Sequence, residues 1–154
     1  MATPPGTNVR GFLTDDEGEL LSALACEAGN LGPVLEIGSW CGRSTIWLAQ
    51  GAKLAGTVVL ALDHHRGSEE HQPGEMFFDA DLVDGEGRVD TLREFRRNIA
   101  QAGVEDTVIP IVAGTQQAQT ILPHTLGMVF IDGGHSLEAA LTDWRSVGHR
   151  VLPG

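Results

Sequence analysis

Short apolar runs recur along the chain and are separated by stretches with helical spacing. Four of them lie at residues 33–37, 57–62, 108–112 and 127–131, and the run at 57–62 is continuous rather than alternating. Continuous apolar runs are typical of parallel strands that are covered on both faces. The pattern therefore predicts four buried strands.

Apolar residues three and four positions apart predict the helices. The first helix precedes the first strand and has Thr14 as its N-cap, with Glu17 three residues later, which predicts a capping box. Its apolar face is predicted to consist of Leu20, Leu21 and Leu24.

Four more helices are predicted at residues 44–53, 91–102, 116–122 and 136–150, one after each strand. We expect the last helix to pack through four inward side chains: Leu137, Ala140, Leu141 and Trp144. Strands that alternate with helices, joined by right-handed crossovers, give an α/β fold with a doubly wound parallel sheet.

A length of 154 residues favours a single domain. We assign residues 14–154 to this domain and residues 1–13 to a flexible N-terminal arm. Residues 64–88 are polar and carry no predicted element, and loops of that length are often functional. We expect this loop to act as a lid or substrate wall. Its three histidines lack the cysteine pair and regular spacing of a zinc site.

The chain is strongly acidic, with 21 acidic residues against 10 basic ones and a net charge of −11. Nucleic acids and anionic membranes attract basic surfaces, so we expect neither as a partner. The two cysteines, and an N-terminus without a basic region followed by an apolar run, favour a reduced cytoplasmic protein. Small-molecule chemistry is the favoured function class.

The turn after the first strand has the sequence EIGSWCGRS (residues 36–44). Dinucleotide sites have Gly-x-Gly-x-x-Gly so that backbone approaches a pyrophosphate, but here Trp40 occupies the second glycine position. The Gly-Lys-Ser/Thr of a phosphate loop is also missing. The pattern suits a cofactor with a ribose, a base and a charged amino-acid tail. The alternative is a turn whose glycines only permit tight packing.

Two other strand ends carry polar side chains. Asp63 closes the second strand about 20 residues after the glycine loop, where an acidic residue accepts hydrogen bonds from ribose hydroxyls. Asp132 and His135 follow the fourth strand in the sequence FIDGGH, which places a carboxylate and an imidazole at its tip. The alternatives are structural, with Asp63 and Asp132 as turn or helix caps and His135 as an exposed loop residue.

The glycine loop, Asp63 and the FIDGGH segment together resemble the class I S-adenosylmethionine-dependent methyltransferases, in particular their small-molecule O-methyltransferase branch. The resemblance spans about residues 14–154, which is most of the chain, and implies a Rossmann-like sheet in the strand order 3-2-1-4. It also implies S-adenosyl-L-methionine as cofactor. The expected cofactor-binding residues are Glu36, Gly38, Ser39, Trp40, Gly42, Ser44, Asp63, His64, Thr115, Gln116 and Asp132.

The same resemblance implies O-methylation of a small hydroxylated acceptor, with Asp132 and His135 as candidate catalytic residues. In metal-dependent relatives the aspartate binds a divalent ion, so Asp132 is the candidate ligand for an optional Mg²⁺, which prefers oxygen ligands. Such an ion lowers the pKa of the substrate hydroxyl. His135 is a candidate general base.

Compared with the family fold, the chain lacks the last three strands. The fourth strand would then be an exposed edge, which favours pairing with another chain. Three explanations are open: the chain is a shortened piece of a longer protein, it forms a homodimer through this edge, or it is a degenerate relative of the family. The alternative to an enzyme is a catalytically incomplete S-adenosylmethionine-binding fragment or partner subunit. A nicotinamide oxidoreductase is disfavoured by Trp40 in the glycine loop.

Overall fold

The computed structural model describes residue 6 and residues 8–154. Within these residues the strands are β1 (Val34–Ile37), β2 (Val59–Asp63), β3 (Val108–Val112) and β4 (Met128–Ile131). The helices are α1 (Asp15–Ala28), α2 (Arg43–Leu54), α3 (Leu92–Gln101), α4 (Thr115–Ala118) and α5 (Leu137–Val147). Short 3₁₀ helices occur at Glu69–His71, Ala80–Leu82 and Gly148–Arg150. None of the helices in this described part is long and apolar enough to cross a membrane.

The strands form one parallel sheet in the order β3-β2-β1-β4. β1 is central, with Val34 opposite Val59 of β2 on one side and opposite Met128 of β4 on the other. The predicted doubly wound sheet and its order 3-2-1-4 are confirmed. Because all strands run the same way, their carboxyl ends lie along one edge of the sheet.

Helices cover both faces of this sheet. Val34 packs in a cluster with Ile46 of α2 and Phe95 of α3, to which α1 also contributes. The next residue of β1, Leu35, points to the opposite face and packs in a second cluster with Val147 of α5. The two clusters hold the strand ends in fixed positions.

The predicted capping box of α1 is present, but its predicted apolar face is wrong. Thr14 N donates to Glu17 Oε2 at 2.8 Å, and Glu17 N donates to Thr14 Oγ1 at 3.4 Å. Of the three leucines only Leu21 is buried, whereas Leu20 and Leu24 are 59% and 42% exposed.

Small residues explain the difference, because they let α1 lie very close to α2. A Cβ atom on Gly18 would overlap the indole ring of Trp47, and one on Gly51 would overlap the carbonyl oxygen of Ser22. The buried face of α1 therefore runs through Gly18, Leu21 and Ala25. A search for large apolar residues does not detect such a face.

The inward face predicted for α5 is also wrong. Leu137 and Trp144 are 76% and 55% exposed, Leu141 is exposed and Ala140 is half-buried. Only Val147 of α5 is buried. No described element packs over this side of α5, and all four residues of the neighbouring β4 are half-buried. We call this exposed side of α5, with the unpaired side of β4, the open edge.

Residues 64–91, which we call the roof loop, are more ordered than the sequence predicts. They contain two of the 3₁₀ helices, at Glu69–His71 and Ala80–Leu82. Two helices also end earlier than predicted: α4 is a single turn that ends at Ala118, and α5 gives way to a 3₁₀ turn at Gly148.

The described part of the N-terminal arm contacts the domain. Arg10 forms an ion pair with Asp79 of the roof loop. The Arg43 guanidinium of α2 donates hydrogen bonds to three arm carbonyls, those of Gly6, Val9 and Leu13. Residues 1–5 and 7 of the arm lie outside the described residues, and the flexibility of residues 1–13 stays a prediction.

Candidate functional site

A cavity of about 450 Å³ opens at the carboxyl ends of the strands. Ligands of doubly wound sheets bind at this edge. The roof loop closes one side with residues 67–71. Seven of the predicted site residues line the cavity: Gly38, Trp40, Asp63, His64, Thr115, Asp132 and His135. The fold thus brings together residues from the ends of all four strands.

Five predicted site residues lie outside the cavity wall: Glu36, Ser39, Gly42, Ser44 and Gln116. Glu36 is fully buried, and its two carboxyl oxygens accept hydrogen bonds from Ser44 Oγ and Thr45 Oγ1, each at 2.5 Å. Burial raises the pKa of Glu36 to about 7, although these two hydrogen bonds oppose the shift. Glu36 and Ser44 therefore fasten β1 to the first turn of α2, beneath the glycine loop.

Gly38 brings the tips of β1 and β4 into contact. Its φ of +90° lies in the left-handed region that favours glycine. A Cβ atom there would overlap the carbonyl oxygen of Asp132 and lie 2.7 Å from Gly133 Cα. Gly42 has φ +92° and directly precedes α2. A Cβ atom on Gly42 would lie 3.2 Å from the ring of Phe95. Both glycines are needed for packing, and Gly38 also borders the cavity.

Asp63 holds two loops in unusual backbone conformations. Trp40 (φ +43°) and His65 (φ +58°) are the non-glycine residues of the described chain with positive φ. Trp40 N donates to Asp63 Oδ2 at 2.8 Å, and His65 N donates to Asp63 Oδ1 at 2.7 Å. Such conformations cost about 1–3 kcal/mol each, which hydrogen bonds to a charged acceptor offset. We call this arrangement the Asp63 clamp.

His65 itself is part of the core. It is buried, with Nδ1 2.8 Å from Thr91 Oγ1 and its ring centroid 5.1 Å from that of Phe95. Burial lowers the pKa of His65, which favours a neutral ring. His65 therefore anchors the roof loop to α3 and does not line the cavity.

Aromatic rings join the arm, the glycine loop and the roof loop. Phe12 stacks on Trp40 with ring centroids 6.0 Å apart and meets the edge of Phe77 at 5.3 Å. On the cavity side, the His71 ring lies 5.6 Å from that of Trp40. Burial lowers the pKa of His71, and its Nδ1 lies 2.8 Å from Ser68 Oγ. These contacts form a wall over the glycine loop.

The tip of β4 carries the two predicted catalytic residues. His135 Nδ1 lies 3.1 Å from Glu70 Oε2, and His135 Nε2 lies 3.8 Å from Asp132 Oδ1. Burial raises the pKa of Asp132, and the nearby His135 opposes that shift. His135 therefore bridges the β4 tip and the roof loop between two carboxylates.

Of the two cofactor-binding residues predicted after β3, only Thr115 lines the cavity. Gln116 is exposed. The adjacent Gln117 closes the turn instead, because its Oε1 accepts a hydrogen bond from Gly114 N at 3.2 Å.

A protein-family model described as a methyltransferase domain matches residues 35–154. The matched range contains β2 to β4, β1 except for its first residue, and every predicted site residue. The chain belongs to this methyltransferase family. The resemblance to class I S-adenosylmethionine-dependent methyltransferases is therefore confirmed.

Solved structures agree with this assignment. Cofactor-bound Rv0187 from MTB is 28% identical to this methyltransferase, with a TM-score of 0.61, over 90% of this chain and 53% of its own. An O-methyltransferase from Bacillus cereus, solved in complex with SAH, is 25% identical with a TM-score of 0.64, over 96% of this chain and 57% of its own.

The O-methyltransferase TomG from Streptomyces achromogenes, in complex with SAM, has a TM-score of 0.66 at 20% identity and supports the fold alone. It matches 93% of this chain and 54% of its own. This methyltransferase chain thus spans about half the length of these solved structures.

The described residues of the methyltransferase do not fit the magnesium site that the resemblance implies. Among them no three acidic, histidine or cysteine side chains converge on a point that could hold a metal ion. The side chain next to Asp132 is His135, which also contacts Glu70. His135 would offer a nitrogen atom to a metal ion, whereas Mg²⁺ prefers oxygen ligands.

The sequence did not identify Ser68, Glu70 or His71 as individual cavity residues. It predicted a lid or wall from the polarity of residues 64–88, but the 3₁₀ turn that aims these side chains has no periodic signal. It also missed Phe12, since one aromatic residue in an arm carries no pattern.

Proposed function

We propose that this methyltransferase binds S-adenosyl-L-methionine and transfers its methyl group to a hydroxyl of a small metabolite. The observation that carries the proposal is a cavity at which Gly38, Asp63 and Asp132 meet from three strand ends. Membership of the methyltransferase family supports it, as do the cofactor-bound and SAH-bound structures of similar proteins.

The charge of the cavity suits this cofactor. Among the described residues, its lining contains no lysine or arginine but five acidic residues: Asp63, Glu69, Glu70, Asp132 and Asp143. S-adenosylmethionine carries a cationic sulfonium and a cationic ammonium, which acidic surroundings attract. The same surroundings would repel a cofactor that carries phosphates.

Within this proposal each predicted cofactor residue has a place. Asp63 accepts hydrogen bonds from the ribose hydroxyls, using the carboxylate lone pairs that are not bonded to Trp40 N or His65 N. His64 lies beside Asp63. Thr115 borders the adenine ring, with the exposed Gln116 next to it outside the cavity wall, and Gly38, Trp40 and Asp132 border the amino-acid tail. Four residues belong to the glycine-loop segment but lie outside the cavity wall, where they hold the shape of the loop: Glu36, Ser39, Gly42 and Ser44.

When bound, S-adenosylmethionine would supply a methyl group whose carbon an acceptor oxygen attacks in line, while the S–C bond breaks and its electron pair stays on sulfur. The chain orients the acceptor and removes its proton. His135 Nε2 takes the hydroxyl proton, and Asp132, whose Oδ1 lies 3.8 Å away, stabilises the resulting imidazolium. An imidazole performs this step near neutral pH.

Calorimetry with S-adenosylhomocysteine and a radiolabelled methyl-transfer assay on phenols, catechols and sugar hydroxyls test the proposal. Asp63→Asn should weaken S-adenosylhomocysteine binding about tenfold, because an amide loses the charge and one of the two oxygens. The matched control Asp16→Asn, at an exposed position of α1, should bind like the original chain. No binding by the unaltered chain would contradict the proposal. A methyl-transfer rate that EDTA lowers would add Mg²⁺ to it.

A second candidate function is cofactor binding without turnover, as a fragment or as a partner subunit. The observation in its favour is the open edge, where Leu137, Leu141 and Trp144 stay exposed. We propose that a second copy pairs with β4 there. Binding of S-adenosylhomocysteine without transfer to any acceptor would support this candidate.

Both cysteines are free, which suits the reducing cytoplasm.

A further inference from the structure

One acidic residue of the cavity wall contacts the proposed base directly. Glu70 lies in the 3₁₀ turn Glu69–His71 of the roof loop, far in sequence from the β4 tip. Its Oε2 lies 3.1 Å from Nδ1 of His135. No motif in the sequence links these two positions.

The contact determines where His135 carries its proton. An ionised carboxylate only accepts hydrogen bonds, so Nδ1 must be the donor. A neutral imidazole has a single N–H, and its lone pair is then on Nε2. Nε2 lies 3.8 Å from Asp132 Oδ1, which is beyond hydrogen-bond distance. The pair with Glu70 therefore leaves the basic nitrogen on the Asp132 side of the ring.

The turn that carries Glu70 is itself held in place. Gln72 Nε2 donates to the carbonyls of Arg66 and Ser68 at 3.1 Å and 3.0 Å, and Phe77 N donates to the Glu70 carbonyl at 3.0 Å. A carboxylate on a fixed turn can orient a partner ring, whereas one on a mobile loop cannot.

We propose that Glu70 is the positioning residue of His135: it fixes the Nδ1–H tautomer and so keeps Nε2 as the proton acceptor. This inference rests on the proposed function. In that reaction the acceptor O–H bond breaks and its proton moves to Nε2, while the oxygen forms a bond to the methyl carbon. The electron pair of the broken S–C bond stays on sulfur. Glu70 changes no bond, and it holds the imidazolium opposite Asp132.

Nitrogen-15 NMR of the histidine-labelled chain measures the tautomer directly. We would record spectra at about pH 8.5, two units above the ordinary histidine pKa of about 6.5, and identify the His135 signal by its loss in His135→Gln. His64 provides an internal reference, because its Nδ1 accepts a hydrogen bond from Arg66 N at 3.0 Å and its proton must be on Nε2. The expected result is opposite tautomers for His64 and His135.

Substitutions then test the role of Glu70. Glu70→Ala should move His135 toward the tautomer mixture of a solvated imidazole, and Glu70→Gln, which keeps an oxygen acceptor, should retain Nδ1–H. The control Glu75→Ala, at an exposed position of the same loop, should leave the spectrum unchanged. Unchanged signals of His64 and His65 in each variant show that the roof loop is folded. An Nε2–H tautomer in the unaltered chain, or no change in Glu70→Ala, overturns the proposal.

Kinetics supply a second readout once an acceptor is known. Glu70→Ala should lower kcat about tenfold with the acceptor KM within about twofold, and Glu70→Gln should restore most of the loss. A kcat equal to that of the unaltered chain overturns the positioning role. Failure of the unaltered chain to bind S-adenosylhomocysteine counts against the proposed function instead, and does not alter the tautomer result.

Discussion

A buried carboxyl group lies directly beneath the glycine loop. Glu36 has a pKa of about 7 in the folded chain against 4.5 in its ordinary state, chiefly because burial disfavours the charged form. The folded state therefore binds its proton more tightly than the unfolded state. The stability that this gives is complete below about pH 4.5 and is lost as pH rises to about 7.

Glu36→Gln should remove this pH dependence, because an amide stays neutral and can still pair with both hydroxyls. The variant should match the original chain near pH 4.5 and exceed its free energy of unfolding by about 3 kcal/mol at pH 8. Urea unfolding at both pH values measures the difference. Glu19→Gln, at an exposed position, should show no such trend. Parallel stability curves for Glu36→Gln and the original chain would refute the assignment.

Gly38 gives a prediction about stability as well as binding. Gly38→Ala should lower the free energy of unfolding by about 3 kcal/mol, because its φ is +90° and the new Cβ would overlap the Asp132 carbonyl oxygen. Gly85→Ala, where no atom lies within 4 Å of the added Cβ, should change it by less than about 0.5 kcal/mol. Thermal or urea unfolding measures both. Equal midpoints would mean that the two strand tips do not touch.

At the scale of elements, one arginine of α2 holds the N-terminal arm. Arg43→Lys should release it, because a single ammonium cannot reach the carbonyls of Gly6, Val9 and Leu13 together as the guanidinium does. Release exposes the bond after Arg10, so trypsin should cut there at least tenfold faster.

Mass spectrometry of timed digests would locate that cut. Arg93→Lys, at an exposed position of α3, is the control that should digest like the original chain. An unchanged rate after Arg10 in Arg43→Lys would show that other contacts hold the arm.

The strands were predictable from sequence because each is a short, mostly apolar run between two helical stretches. The packing of two helices was not. α1 buries Gly18 against Trp47 in place of Leu20 and Leu24, since close approach depends on missing side chains rather than on large ones. The apolar stripe of α5 correctly predicts an amphipathic helix. The spacing of apolar residues does not show whether another part of the same chain covers that stripe.

At the scale of the whole molecule, the open edge is apolar while the chain carries a net charge of −11. In the proposed pairing, two copies would repel at long range and attract through α5 and β4 at contact. We expect self-association that strengthens when salt is raised, because salt screens the repulsion and leaves the apolar contact intact.

Sedimentation equilibrium at low and high salt measures this association. Trp144→Gln should weaken it by about tenfold, since the indole is the largest exposed ring of the edge and the substitution leaves the charge unchanged. Leu54→Gln, which is 79% exposed at the end of α2, should associate like the original chain. Equal association of both variants would place the interface elsewhere.

The candidate site was predictable where it depends on strand ends, because parallel strands bring Asp63, Asp132 and His135 to one edge of the sheet. It was not predictable where it depends on the roof loop. Glu70 reaches His135 only through a 3₁₀ turn whose position is set by tertiary contacts, and such a turn leaves no trace in the pattern of apolar residues.

The Asp63 clamp also couples ligand binding at the cavity to the positions of two loops. One carboxylate accepts a hydrogen bond from the glycine loop through Trp40 N and one from the roof loop through His65 N. A shift of either loop moves this carboxylate and so disturbs its hydrogen bond to the other loop. A ligand that bonds to Asp63 therefore senses both loops at once. The affinity for such a ligand therefore depends on whether both loops are in place. A substitution in either loop that is distant from Asp63 should still weaken binding of a ligand to the Asp63 carboxylate.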